Sequence, residues 1–70
     1  MHEDVSKQFA TKVQELRTAK KFSKNKLSTL AGLDYSYIGK IERCEKSPNL
    51  KTIIKLATAL EIPVKDLFDF

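Results

Sequence analysis

The four residues Ala31-Gly32-Leu33-Asp34 lie between two runs with helical spacing, and they do not belong inside one helix. A glycine in a helix interior costs roughly 1 kcal/mol relative to alanine. Glycine is also the residue that takes positive φ without a steric cost. An apolar residue, a glycine, a packing residue and then an Asp is the order of one helix ending and another beginning. The sequence therefore predicts a corner. Gly32 is left-handed, Leu33 plugs the turn and Asp34 starts the next helix.

The rest of the chain is helical in spacing, and no alternation of apolar and polar residues is sustained long enough for a strand. Phe9, Val13, Leu16 and Lys20 fall on one stripe, which predicts a first helix from about Asp4 to Lys21. Ser23 is a fitting N-cap for a second helix with Leu27, Leu30 and Ala31 inward. Asp34 caps a third with Ile38 and Ile41 inward. Asn49 follows Pro48 and caps a fourth, with Leu50, Ile53, Ile54, Ala57 and Leu60 inward. Pro63 precedes a short last turn or helix, "VKDLF". The expected fold is all-α, a compact five-helix bundle. Its domain covers residues 9–68, and residues 1–8 form an N-terminal extension and the start of helix one. A tight crossing at the corner also requires a small residue at position 28, which is Ser28. The second and third helices then form a helix-turn-helix over about residues 24–43.

Several function classes fall away on composition. A 70-residue chain buries only about 60% of its unfolded surface, so its core is marginal unless something adds to it. Disulfides do not, since Cys44 is the single cysteine, and that count points to a reducing, cytoplasmic setting. No His, Cys or carboxylate set has metal-ligand spacing, and no cofactor or small-molecule ligand is implied. Oligomerisation is the remaining common route to added stability. No apolar run approaches the roughly 18 residues of a membrane span, and "MHEDVSKQ" is too polar for a signal peptide. The one histidine is His2, and no nucleophile–base or carboxylate pair stands out, so an enzyme is not expected.

Charge gives the positive indication. Nine basic residues and three acidic ones lie between Arg17 and Lys51, a local net charge of +6, while residues 1–16 and 52–70 each carry −1. A concentrated basic window is what a polyanion binder needs; a solvated lysine-rich surface has the same composition. On a wheel of 100° per residue, Tyr35, Ser36, Gly39, Lys40 and Arg43 fall within an arc of about 140°, with Ile38 and Ile41 opposite. Such an outward face can enter a major groove, where base edges present donors and acceptors.

With these residues placed, "LSTLAGLDYSYIGKIERCEKSPNLKTIIKLATALEIPVKDLF" resembles the lambda-repressor/Cro-like helix-turn-helix family, and "VQELRTAKKFSKNKL" extends the likeness upstream. The resemblance implies a DNA-binding domain with a recognition helix from about Tyr35 to Arg43. It implies a transcriptional regulator acting as a homodimer on a palindromic operator in double-stranded DNA. An antitoxin or bridging-type protein-interaction module on the same fold is the alternative, which a neighbouring toxin gene would favour.

Within the resemblance, Tyr35 and Ser36 stand where base readers usually sit. Tyr35 could instead be a half-buried packing residue. Gly39 suits close approach to DNA or is a tolerated surface glycine. Lys40 suits a guanine contact or a phosphate. Tyr37, at the edge of the face, packs or offers its hydroxyl to a phosphate. Arg43, at the helix end, is assigned to phosphate. Lys24 and Asn25 open the preceding helix, where phosphates are favoured, and Lys46, Ser47 and Asn49 form a second backbone-clamping site. Lys20, Lys21 and Lys26 are weaker candidates, mostly solvated face. Arg17 and Glu42 match a structural ion pair joining helix one to helix three. Leu67, Phe68 and Phe70 either close the core or form a dimer interface. The family often carries glycine where Cys44 and Glu61 stand, so both positions are candidates for left-handed backbone.

Overall fold

The computed structural model describes residues 2–70, with side chains from Val5 onward, so the side chain of His2 lies outside the described residues. Four α-helices follow in order: α1 (His2–Ala19), α2 (Lys24–Leu30), α3 (Tyr37–Glu42) and α4 (Leu50–Leu60). The fifth expected helix is a 3-10 helix, Val64–Phe68. Its five residues follow Pro63, whose carbonyl accepts from the Asp66 N–H at 3.0 Å. So short a segment does not repay the nucleation cost of an α-helix, and 3-10 pairing suits it. Among the described residues every regular element is helical, and no helix is long and apolar enough to cross a membrane.

The cap residues act locally. Ser23 Oγ accepts from the Lys26 N–H at 3.0 Å, and Asn49 Oδ1 accepts from the Thr52 N–H at 2.9 Å. At the third helix the expectation of an Asp34 cap fails. The N-cap of α3 is Ser36. Asp34 lies one turn earlier, its carbonyl accepting from the Tyr37 N–H at 2.9 Å and its carboxylate from the Ser36 hydroxyl at 3.3 Å. Ser36 has φ −96° and ψ 5°, a turn conformation, so Tyr35 and Ser36 precede the helix instead of opening it.

All four α-helices end alike. A left-handed residue follows each: Lys21 (φ 61°), Gly32 (70°), Cys44 (60°) and Glu61 (59°). The next N–H then reaches back into the finished helix. Phe22 donates to the Arg17 carbonyl at 3.1 Å, Leu33 to Ser28 at 2.8 Å, Glu45 to Lys40 at 2.8 Å and Ile62 to Ala57 at 3.0 Å. These are Schellman closures, usually accompanied by an apolar contact from the residue after the left-handed one. Phe22, Leu33 and Ile62 do pack against the core. The fourth, Glu45, is exposed. Left-handed backbone at Cys44 and Glu61 accords with the sequence reading; Lys21 was not anticipated.

The core gathers Phe9 and Val13 from α1, Leu27 and Ala31 from α2, and Ile38 and Ile41 from α3. Leu56, Ala57 and Leu60 of α4 and Leu67 of the 3-10 helix complete it. Leu67 is fully buried, so it closes the core and is not available to a partner. Leu30, Leu50 and Ile54 were expected inward but are exposed, and Thr52 and Leu56 take the inward face of α4. An apolar stripe wider than the docking surface leaves one edge in solvent. Lys20, expected on the stripe of the first helix, lies just past the end of α1 and is exposed, and Arg17 takes the inward place. Ser28 is fully buried, and its hydroxyl accepts from the Ile38 N–H at 3.1 Å.

Two stability measurements follow. Ser28→Ala leaves the buried Ile38 N–H without a partner and should lower unfolding free energy by about 1–3 kcal/mol. Cys44→Gly removes a left-handed non-glycine residue and should raise it by about 1 kcal/mol. Urea unfolding of the two variants beside the parent checks both signs.

Candidate nucleic-acid interface

The helix-turn-helix is held from behind by one ion pair. Arg17, projecting inward from α1, donates from Nε to Glu42 Oε2 at 2.7 Å and from Nη2 to Oε1 at 3.2 Å. Its Nη1 donates to the Phe22 carbonyl at 2.8 Å. One guanidinium thus ties together the end of α1, the turn after it and the last residue of α3. Both side chains are largely covered, 10% and 6% exposed. A pair so placed has both charges satisfied, and removal of one partner would strand the other.

The outward residues of α3 and of the turn leading into it are mostly polar. Tyr35 is 67% exposed, Ser36 is exposed, and Lys40 is half-buried. Lys24 and Asn25 stand exposed at the first turn of α2. Tyr37 packs its ring partly against the core, and Lys46 Nζ lies 5.3 Å from the ring centroid. Lys46 and Ser47 are exposed in the loop before α4, and Asn49 spends its side-chain carbonyl on the α4 cap. Lys20 is drawn elsewhere, to Glu61 at 3.3 Å.

Gly39 is not the open floor that the helical wheel suggests. It is buried. A Cβ built there would lie 3.1 Å from Arg43 Nη1 and 3.8 Å from Lys24 Cδ. The Arg43 side chain folds back along α3 over Gly39, and the stem of Lys24 reaches the same position. Its guanidinium is held by Glu45, with Nε to Oε2 at 2.8 Å and Nη2 to Oε1 at 3.3 Å. That hydrogen bond holds the Glu45 carboxyl below its ordinary range and raises Arg43. The pair is therefore intact at neutral pH and opens as pH falls through the depressed carboxylate value. Sequence reasoning missed Glu45. Its partner is two residues away across the left-handed Cys44, a separation that helical spacing does not bring together.

Among the described residues no three His, Cys, Asp or Glu side chains gather as a metal site would require. Cys44 is free and exposed. It lines a mainly apolar cleft of about 190 Å³ with Val5, Phe9, Ile53 and Phe68. Phe68 stacks at 5.4 Å on Phe9 and stands 6.4 Å from Phe70. Both C-terminal rings are about half exposed.

Comparison with known proteins agrees with this geometry. The helix-turn-helix family HTH_3 matches residues 13–67. The control protein C.SmaI of Serratia marcescens is 36% identical over 64 residues, spanning 91% of this chain and 76% of its own. The transcriptional regulator SutR of Escherichia coli K12 is 33% identical over 61 residues, and the chain spans only 34% of its length. The crystal structure of the restriction-modification controller protein C.AhdI from Aeromonas hydrophila superposes with a TM-score of 0.87 at 46% identity. That match covers 90% of this chain and 96% of the controller.

The contact over Gly39 is with the far end of a flexible side chain. Gly39→Ala should therefore raise helix stability by up to about 1 kcal/mol while displacing the Arg43 guanidinium. Thermal unfolding reads the first effect. A changed Arg43 Nε proton shift in the nuclear magnetic resonance spectrum reads the second.

Proposed function

Because the chain belongs to the helix-turn-helix family, we propose that it is a transcriptional regulator that binds a palindromic operator in double-stranded DNA as a homodimer, with α3 in the major groove. The observation that carries this reading is the outward face of α3. Its backbone is fixed by the Gly32 corner and the Arg17–Glu42 pair. Its solvent side presents Lys40, and the turn leading into it presents Tyr35 and Ser36.

In this reading Tyr35 and Ser36, in the turn leading into α3, and Lys40, one turn into it, meet base edges. Tyr offers a hydroxyl and a ring for a thymine methyl, Ser a small donor and acceptor, and Lys a donor for guanine O6 or N7. The backbone at Gly39 lies between them. Lys24, Asn25, Tyr37, Lys46, Ser47 and Asn49 flank that face on both sides and take phosphates, which position the domain without reading sequence. Phe68 and Phe70 offer adjacent exposed rings to a second copy. Two α3 helices related by a two-fold axis would read half-sites about 34 Å apart. Likeness to control proteins supports a regulatory role.

Fluorescence anisotropy with a duplex selected from a random pool, beside a scrambled duplex, tests the reading across salt concentrations. Each phosphate contact should lower log K by roughly 0.9 per unit of log salt. Lys24→Ala should weaken both duplexes alike and flatten the salt dependence by about one such contact. Lys40→Ala should weaken the selected duplex by about fivefold or more and the scrambled one far less. Salt-insensitive binding, or equal affinity for the two duplexes, contradicts the proposal.

A further inference from the structure

We propose that Arg43 is a guanine-reading residue of the α3 face, not a phosphate clamp, and that Glu45 is the positioning residue that presents it. This rests on the DNA-binding reading above. A phosphate clamp at the end of α3 would extend outward. Instead the guanidinium folds back over Gly39, whose position on the helical wheel falls between Tyr35 and Lys40.

The hydrogen-bond geometry specifies which edge remains. Glu45 accepts from Nε and from one hydrogen of Nη2, the side-on edge of the fork. Of the five guanidinium N–H groups, both on Nη1 and the second on Nη2 are left. Nη1 and Nη2 together form the end-on edge, which matches the paired acceptors O6 and N7 of guanine. A carboxylate bound side-on cancels charge that a phosphate contact would use. It also fixes the plane and direction of the fork, which base reading needs and phosphate contact does not.

The backbone of Glu45 is fixed, while its carboxylate and the Arg43 fork are about half exposed and so open to a ligand. The Glu45 N–H closes the Schellman turn onto the Lys40 carbonyl at 2.8 Å, and Cys44 before it is left-handed. At the other three helix ends the same position holds Phe22, Leu33 or Ile62, each packed against the core. At the end of α3 it holds a carboxylate directed at Arg43. Gly39 fits the same account, since any Cβ there would press on Nη1 at 3.1 Å.

The test is selection of bound duplexes from a random pool by the full chain, Arg43→Ala, Glu45→Gln and Glu45→Asp. The parent should select one guanine in each half-site that Arg43→Ala no longer selects, with the other positions unchanged. Replacing that guanine by an analogue lacking the N7 acceptor should weaken the parent by about tenfold and leave Arg43→Ala indifferent. Glu45→Gln should lower the preference for this guanine by several-fold without weakening the scrambled duplex, because a negative charge has been removed. Glu45→Asp should restore part of the preference. If Arg43→Ala weakens all duplexes equally and flattens the salt dependence, Arg43 is a phosphate contact and the proposal fails. If Glu45→Gln tightens all duplexes equally with the guanine preference intact, Glu45 only competes with DNA and the positioning role fails. A parent that selects no consensus at all overturns the DNA-reading function itself, a different outcome from either.

Discussion

The buried hydroxyl of Ser28, accepting from the Ile38 N–H at 3.1 Å, sets how closely α2 and α3 approach. A larger side chain would push the helices apart, and a smaller apolar one would leave a backbone donor buried without a partner. Gly32 turns the chain between Ser28 and Ile38, and Leu33 seals the turn from the core side. The orientation of α3 then follows, with Ile38 and Ile41 held inward and Tyr35, Ser36 and Lys40 left outward. Arg17 fixes the far end of the same helix through Glu42. A six-residue helix has little stability of its own, so its direction comes from contacts at both ends.

Much of this was legible in the residues. The corner, the small residue at 28, and the caps at Ser23 and Asn49 each rest on local backbone chemistry within a few positions, and short-range rules capture that. Legibility failed where the outcome depended on docking. Leu50 and Ile54 lie on an apolar stripe as plausible as the true one, and packing of α4 against α2 and the 3-10 helix chose Leu56 instead. Leu67 shared a run with Phe68 and Phe70, and only the closed core separates it from them. Asp34 looked like a cap because its residue type fits one, yet the chain needs a further turn before α3 begins.

The outward face was legible as a set of positions but not as an arrangement. A wheel places Gly39 and Arg43 in one arc and says nothing of a side chain that folds back over its neighbour. Nor does it find Glu45, which lies beyond the helix and across a left-handed residue. The four helix ends show a related economy. Three use non-glycine residues at positive φ, each costing about 1–2 kcal/mol, and three place an apolar residue next to seal the core. The departure at Glu45 is visible only when the four ends are compared with one another.

The central claim is that the α3 face, with the first turn of α2 and the loop before α4 beside it, is where this chain meets DNA. Amide chemical-shift mapping by nuclear magnetic resonance, with a selected duplex added stepwise, tests that most directly. The account predicts shifts concentrated at residues 24–25, 35–40 and 43–47, with the Arg43 Nε proton among the most displaced. Shifts confined instead to the exposed side of α4 and to Val64–Phe68, with residues 35–40 unmoved, would contradict it.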